Sequence, residues 1–488
     1  MPAPAATTTS GPSSPSEFVD ADNLRTKFTL AMSAMYREEV PLYGDLVNIV
    51  RNVNESVDPI RASSDRLMLE RHGAIRLGTP KELQTVRRIF AILGMHPFGY
   101  YDLSVANLPM HATCFRPKDM SSLDRNPFRI FTTLIRPELL ESEEARELAL
   151  SLLEKRKIFT DLLLELLDVA ESQGGMLSAE QAEVFTAQAL LTFSWRSVAA
   201  ATIDQYNALK AEHPILADIA CFQSAHINHL TPRTLDISAA HVAMREAGMA
   251  VKSRIEGPPR RRCPILLRQT SFLALEETIN FTTSEDIQAS ASELSSSSQR
   301  GLVKATHKAR FGEIEERGAA VTVKGRQLYD KILSEGMMKT TGSGPEGVEI
   351  IIEEAFKQYP DDWTELRKQG LIYCHFRCTK KAVLKPMKRN GTESLLEQLI
   401  AGNIIEPSPI TYEDFLPFSA AGIFRSNLQP QPKGLAIADM NRSSADLEGF
   451  EEAMQATLLG VDEWYRQAQM KSLEDVAREL GLSMGDLL

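Results

Sequence analysis

The sequence is poor in cysteine, has no long apolar run and carries no excess of basic residues. Five cysteines among 488 residues are too few for a disulfide framework, so we expect a reducing compartment. A membrane helix needs a run of roughly 18 apolar residues, and none occurs, so we expect no membrane span. The 54 Lys and Arg are outnumbered by 65 Asp and Glu, and the net charge of -11 argues against a nucleic-acid partner.

The N-terminus lacks the features of a targeting peptide. The first basic residue is Arg25, whereas a mitochondrial presequence is rich in Arg, and the apolar core of a secretory signal is missing. The cytoplasm is therefore the expected location. Residues 1–20 begin with a run of Ala, Pro, Ser and Thr, which predicts a disordered tail.

Two stretches of the chain repeat the order strand, helix, strand, strand, strand. In the first, within residues 21–137 and after N-terminal helices, the strands are predicted at 73–78, 98–103, 111–115 and 128–135, and the helix at 80–93. In the second, within residues 217–325, the strands are predicted at 226–230, 251–255, 264–270 and 310–316, and the helix at 238–246. A Ser-rich loop at 284–300 interrupts the second unit.

The repeat predicts an α+β fold in which two βαβββ units pair as a half-open barrel with a cleft between them. Residues 138–216, rich in Leu, Glu and Ala, are predicted to form a large helical insertion between the units. Residues 326–488 are predicted to be mixed and mainly helical, and to complete the pocket.

His72 is a candidate site residue on the first strand of the first unit. Side chains alternate along a strand, so His72 and Arg76 share one face, and a long arginine could hold one end of a small acid near the histidine. A helix-capping role for His72 and a solvated role for Arg76 fit the sequence equally well.

His226 and His229 open the second unit and are also candidates. Residues three apart in a strand point to opposite faces, so one of the two is expected as a ligand, and periodicity does not say which. On the last strand, Glu313 and Glu315 share a face with Phe311. Two histidines and one carboxylate would form the facial arrangement that leaves three positions of Fe(II) open.

Cys374, His375 and Cys378 have spacing that could suit zinc. A structural zinc site needs a second pair of ligands, and none lies nearby in the sequence. Packing roles are therefore the favoured interpretation of these three residues.

Four segments together resemble the 2-oxoadipate dioxygenase/decarboxylase family, also called 2-hydroxyglutarate synthases. The resemblance covers the chain from about Asn23 to its C-terminus and implies a vicinal-oxygen-chelate-like fold, in agreement with the two repeated units. The segments are Arg71-His72-Gly73-Ala74-Ile75-Arg76, His226-Ile227-Asn228-His229-Leu230-Thr231-Pro232-Arg233, Ala309-Arg310-Phe311-Gly312-Glu313-Ile314-Glu315, and Tyr412-Glu413-Asp414-Phe415-Leu416-Pro417 with Ser419-Ala420-Ala421-Gly422-Ile423-Phe424.

The resemblance implies particular site residues. The family's Fe(II) ligands fall on His72, His229 and Glu313, which would be the catalytic residues, and the two histidines would also contact the substrate. The family's substrate-clamping arginine falls on Arg76. A further substrate contact falls on Phe418, where bacterial members carry a smaller aliphatic residue, so the resemblance does not carry over the volume of this pocket.

The implied reaction converts 2-oxoadipate and O2 into (R)-2-hydroxyglutarate and CO2, in lysine breakdown. A 2-oxo acid can chelate Fe(II) through its carboxylate and keto oxygens, which leaves one position for O2. Gln269, Ser271 and His307 are weaker candidates for lining the pocket or handling protons. The alternatives are a non-redox lyase or isomerase that uses Zn or Mn, and a non-catalytic scaffold protein.

Overall fold

The computed structural model describes residues 18–282, 303–340, 344–379, 394–416 and 445–488. The predicted tail at 1–20 lies almost wholly outside these residues, and the predicted Ser-rich loop at 284–300 lies wholly outside them. The first described elements are four helices: α1 (Ala21–Glu39), α2 (Pro41–Val57), α3 (Pro59–Ala62) and α4 (Asp65–Leu69). Asp20 caps α1 by accepting a hydrogen bond of 3.1 Å from the Asn23 amide.

The first unit has the predicted order. Its elements are β1 (Arg71–Leu77), α5 (Pro80–Ile92), β2 (Met95–Asp102), β3 (Met110–Pro117), a short helix α6 (Met120–Arg125) and β4 (Arg129–Ile135). Strand β1 lies beside β4 and runs parallel to it, and β3 pairs antiparallel with both β2 and β4. Both faces of β4 are buried, which explains its nearly continuous apolar and Thr sequence.

The region between the units is mainly helical but contains a strand. It comprises α7 (Glu143–Lys155), α8 (Asp161–Ser172), α9 (Ala179–Phe193), β5 (Val198–Thr202), α10 (Ile203–Glu212) and α11 (Pro214–Ala220). The helical insertion predicted over residues 138–216 therefore contains one strand that the prediction did not include. The three alanines of β5 favour helix by intrinsic propensity, and parallel pairing with the later strand Glu276–Thr282 overrides that preference.

The second unit is less regular than predicted. It contains β6 (Leu230–Pro232), α12 (Ile237–Glu246), β7 (Leu267–Ser271), β8 (Glu276–Thr282), β9 (Val303–Lys308) and β10 (Glu313–Arg317). Strand pairing begins only at Leu230, not at residue 226, and only at Glu313, not at residue 310. The predicted strand at 251–255 is wrong, because this segment forms only isolated bridges, at Val251 and Glu256.

Pairing between β1 and β6 joins the two units. The two strands run antiparallel, with His72 opposite Thr231, and a parallel bridge between Arg233 and Glu315 connects the end of β6 to β10. Strand β10 pairs antiparallel with β7, whereas β8 and β9 form a separate sheet with β5. The fold is therefore α+β, with two units side by side in a half-open, vicinal-oxygen-chelate-like arrangement.

The C-terminal part is mixed and mainly helical. Strands β11 and β12 pair antiparallel, and α18 packs against β11. No helix of the described residues is both long and apolar enough to cross a membrane. The division of the chain into domains stays a prediction. The elements are α13 (Val323–Met338), α14 (Pro345–Phe356), α15 (Trp363–Lys368), β11 (Cys374–Cys378), α16 (Leu395–Ala401), β12 (Ile405–Pro409), α17 (Leu447–Met454), α18 (Val461–Leu480) and α19 (Met484–Leu487).

Candidate metal centre

His72, His229 and Glu313 meet where the two units join. His72 lies on β1, His229 immediately precedes β6, and Glu313 is the first residue of β10. One potential ligand atom from each lies within 4.8 Å of the others, and all three residues are buried. The Nε2 atom of His72 is 2.9 Å from Glu313 Oε1. In the part of the chain that the structure describes, this is the one cluster of three or more His, Cys, Asp or Glu residues with such geometry.

Glycines next to two of the three ligands allow this close approach. A Cβ atom on Gly312 would lie 2.2 Å from the Phe272 ring and 2.8 Å from Leu46. A Cβ atom on Gly73 would lie 2.5 Å from the end of the Ile227 side chain. A larger residue at either position would push the neighbouring ligand out of place.

The Tyr36 hydroxyl on α1 binds the backbone of the two segments that carry His229 and Glu313. It lies 2.9 Å from the carbonyl of Asn228 and 2.8 Å from the carbonyl of Phe311, so its single proton is shared between them. The Phe311 amide in turn donates to the Asn228 carbonyl at 3.1 Å. These contacts, rather than a regular strand, hold the backbone before His229 and Glu313.

The electrostatics of His229 and Glu313 suit metal binding, whereas His72 would give up a proton to a bound cation. Burial lowers the pKa of His229 to about 3, so its imidazole is neutral, as a metal ligand must be. Burial raises the pKa of Glu313, but His229 and His72 outweigh that effect and leave the pKa of this carboxyl below its usual value. Burial likewise lowers the pKa of His72, but the Glu315 and Glu313 carboxylates outweigh it and raise that pKa.

The donor set fits a divalent transition metal. Glu313 Oε2 is buried and has no hydrogen-bond partner among the described residues, which is costly unless a cation or water meets it. The other carboxylate oxygen, Oε1, is held by Gln269 Nε2 at 2.8 Å and Thr231 Oγ1 at 3.2 Å. Two imidazoles and one carboxylate are the ligands of the facial non-haem iron sites.

Glu315 pairs with the His72 ring nitrogen that faces away from Glu313. Its Oε2 atom is 2.8 Å from His72 Nδ1, and its Oε1 atom accepts a 2.8 Å hydrogen bond from Arg317 Nε. Sequence reasoning alone left Glu313 and Glu315 as equal candidates, because they share a strand face. The structure separates them: Glu313 lies with both histidines, and Glu315 contacts the far side of one.

The chain is similar to proteins of one known family. The model of the 2-oxoadipate dioxygenase/decarboxylase family matches residues 28–427. The chain belongs to this family. The 2-oxoadipate dioxygenase/decarboxylase of Pseudomonas putida is 43% identical over 480 residues, which cover 96% of this chain and 98% of that protein. The one from Escherichia coli is 44% identical over 466 residues, or 93% and 98% of the two chains.

Solved structures of relatives have the same fold. The hydroxyglutarate synthase of Pseudomonas putida in complex with 2-oxoadipate matches with a TM-score of 0.82 and 42% identity, over 96% of this chain and all (100%) of that one. The protein YdcJ of Shigella flexneri matches with a TM-score of 0.78 and 41% identity, over 94% and 99% of the two chains.

Besides the two histidines, the predicted substrate contacts are Arg76 and Phe418. Arg76 is buried on β1 and pairs with Asp218 of α11, a partner that sequence reasoning missed. Its charge is near enough to His229 to contribute to the lowered pKa of that residue. Phe418 lies outside the described residues. Phe415, three positions earlier, packs edge-on against the His72 ring with centroids 4.9 Å apart, so this segment reaches the metal site.

The remaining sequence candidates are also placed. His226 does not join the cluster of ligands but lies beside Asp218, as does His307. One histidine of the pair was expected as a ligand, and His229 lies in the cluster. The strand alternation from which this was predicted is wrong, because residues 226–229 are not a strand. Gln269 contacts Glu313 as described above, and Ser271 lies opposite Glu313 in the β7–β10 register. Cys374, His375 and Cys378 form no metal-binding cluster among the described residues.

Proposed function

We propose that this protein is an Fe(II)-dependent dioxygenase that converts 2-oxoadipate and O2 into (R)-2-hydroxyglutarate and CO2. The observation that carries the proposal is the buried cluster of His72, His229 and Glu313 in a chain of this family. The relative solved with 2-oxoadipate supports the choice of substrate. The reaction balances without a further reductant, because oxidative decarboxylation supplies two of the four electrons that O2 requires and hydroxylation of a C–H bond supplies the other two.

The three clustered residues would hold the metal. A divalent iron held there would supply electrons for O2 activation. Gln269 and Thr231 fix the Glu313 carboxylate through their hydrogen bonds to Oε1, and leave Oε2 available. Glu315 fixes the ring of His72 through Nδ1. All of these side chains are buried.

Arg76 would bind the distal carboxylate of 2-oxoadipate. A guanidinium can donate two parallel hydrogen bonds to a carboxylate, which fixes the orientation of the acid as well as its charge. Phe418 would be a further substrate contact, as the family resemblance implies. We place the reaction in lysine breakdown and in the cytoplasm, in keeping with five cysteines that all remain free thiols.

The test is anaerobic loading of the full chain with Fe(II), followed by O2, with 2-oxoadipate or a shorter 2-oxo diacid as substrate. We expect one O2 consumed and one CO2 released per 2-oxoadipate, and (R)-2-hydroxyglutarate as the product by chiral chromatography. His72→Ala should be inactive, whereas His96→Ala, at a half-buried histidine of β2, should keep its activity. CO2 release without O2 uptake would contradict the proposal and favour a non-redox lyase.

A further inference from the structure

A second buried cluster of ionisable residues lies beside the metal centre. Asp218 of α11 pairs with Arg76 through Oδ2, and His307 Nε2 is 2.8 Å and His226 Nε2 is 3.2 Å from its other oxygen, Oδ1. The Tyr206 hydroxyl is 2.9 Å from His307 Nδ1. Each of these five residues is at most 4% exposed. Solvent therefore screens the charges of this cluster only weakly.

The charges of the pocket do not balance once a dicarboxylate is bound. A divalent cation held by two neutral imidazoles and Glu313 carries one net positive charge, which the carboxylate next to the keto group would match. The distal carboxylate then needs the charge of Arg76, but Asp218 already neutralises that charge. Two carboxylates on one buried guanidinium leave one negative charge without a partner, which is costly in a dry site.

We infer that binding of the distal substrate carboxylate at Arg76 is coupled to uptake of one proton by the His226 and His307 pair on Asp218. This inference rests on the proposed function, because it takes the distal carboxylate of 2-oxoadipate to bind at Arg76. The proton comes from solvent, and one imidazole becomes imidazolium. The added positive charge then balances Asp218, and Arg76 is left to balance the substrate.

His307 can accept this proton without a new unsatisfied group, because its Nε2 faces Asp218 and its Nδ1 faces the Tyr206 hydroxyl. His226 Nε2 lies 3.2 Å from Asp218 Oδ1, but neither buried ring nitrogen of His226 has a hydrogen bond among the described residues, so a proton on its Nδ1 would lack an acceptor there. Burial lowers the pKa of His226 and outweighs the opposing effect of Asp218, so this ring is neutral before substrate arrives. His307 Nδ1 faces a hydroxyl, which can either donate to it or accept from it.

Among the described residues, the further cation that acts on the pair is already paired with carboxylates. Arg310 is held by Glu277 at 2.9 Å and also pairs with Glu39. Trp195 and Phe222 cover the rings of both histidines. The charged or titratable side chains that face the pair from the packed elements are Arg76, Asp218, Tyr206, Cys221, Arg310 and Glu277.

The test is calorimetric titration of the anaerobic Fe(II) protein with 2-oxoadipate in buffers of different ionisation enthalpy. We expect uptake of close to one proton per bound substrate, and a Kd that rises by up to about tenfold per pH unit on the alkaline side. Pyruvate, which has the keto acid but no distal carboxylate, should bind without proton uptake. A pH-independent Kd for 2-oxoadipate, or no binding of it, would overturn the inference.

Variants locate the proton. Asp218→Asn removes the competing carboxylate at nearly constant volume, so proton uptake should disappear while 2-oxoadipate still binds. The double variant His226→Gln with His307→Gln should also lose the uptake. Persistence of uptake in the double variant would place the proton on Asp218 and contradict the inference. Turnover with O2 measured on the same samples separates this outcome from failure of the proposed function, which would abolish O2 uptake whatever the pH dependence of binding.

Discussion

The two βαβββ units contribute to one site by different means. The first unit places His72 and Arg76 on a single regular strand, so their separation is set by strand geometry alone. The second unit supplies His229 from an irregular segment and Glu313 from the first position of a strand, and outside contacts such as Tyr36 hold both. A fold built from two similar units thus carries an asymmetric site, in which one unit sets spacing and the other depends on its surroundings.

The largest expected effect comes from removing the charge of the second unit's carboxylate ligand. Glu313→Gln should lower Fe(II) affinity by more than the roughly 100-fold that marks the loss of a strong outer-sphere partner. Metal content after gel filtration, read by inductively coupled plasma mass spectrometry, checks this. Glu276→Gln, at an exposed carboxylate of β8, is the matched control. Full iron occupancy in Glu313→Gln would exclude this residue as a ligand.

A smaller effect is expected from the carboxylate that supports the first unit's ligand. Glu315→Gln keeps the shape of the side chain but weakens its hold on His72 Nδ1, so Fe(II) affinity should fall by about 10–100-fold. Competition with a fluorescent chelator measures the affinity. If Glu313→Gln and Glu315→Gln lost equal Fe(II) affinity, the two carboxylates would have the same role. That result would contradict the assignment of Glu313 as the ligand and Glu315 as its support.

Arg76→Lys separates the two functions of β1. Lysine keeps the positive charge but loses the paired donors, at about 1.5 kcal/mol, so the KM for 2-oxoadipate should rise about tenfold. Fe(II) affinity should be unchanged, because His72 stays on the same strand. Steady-state O2 uptake and the chelator assay, run on the same preparation, check both parts. An unchanged KM would refute the assignment of Arg76 as the substrate clamp.

The smallest effects concern the two glycines beside ligands. Gly312→Ala meets the rigid Phe272 ring and should destabilise the fold by about 1–3 kcal/mol. Gly73→Ala meets the movable end of Ile227 and should cost less. Thermal unfolding of the two variants compares them directly. A larger loss of stability for Gly73→Ala than for Gly312→Ala would contradict this order. It would mean that the regular strand tolerates less change than the irregular segment does.

The sequence predicted the first unit closely and the second only in outline. In the first, each strand has its own period and turn residues, and β1 to β4 were found within a few positions. In the second, the backbone near His229 and Phe311 bonds to Tyr36 and to each other, and such long-range contacts leave no local pattern. Strand parity therefore could not choose between Glu313 and Glu315, and the resemblance to a known family made that choice.

Asp218 is a second residue whose role could not be predicted from the local sequence. It lies in a short helix with ordinary helical sequence, and nothing local marks it as the partner of an arginine 142 positions earlier. Only the packing of α11 against the barrel brings Arg76, His226 and His307 to one carboxylate. Buried charges that meet across distant elements are the part of a site that a single sequence does not display.

The Tyr36 contacts also bear on the order in which the protein is made. The carbonyl of Phe311 that the Tyr36 hydroxyl binds is synthesised 275 residues after Tyr36 itself. Chains fold from the N-terminus as they emerge, so α1 can form before the two carbonyls that accept from Tyr36 have been synthesised. The metal site therefore forms late in synthesis. A chain that ends before β10 lacks Glu313 and could not hold the metal with all three ligands.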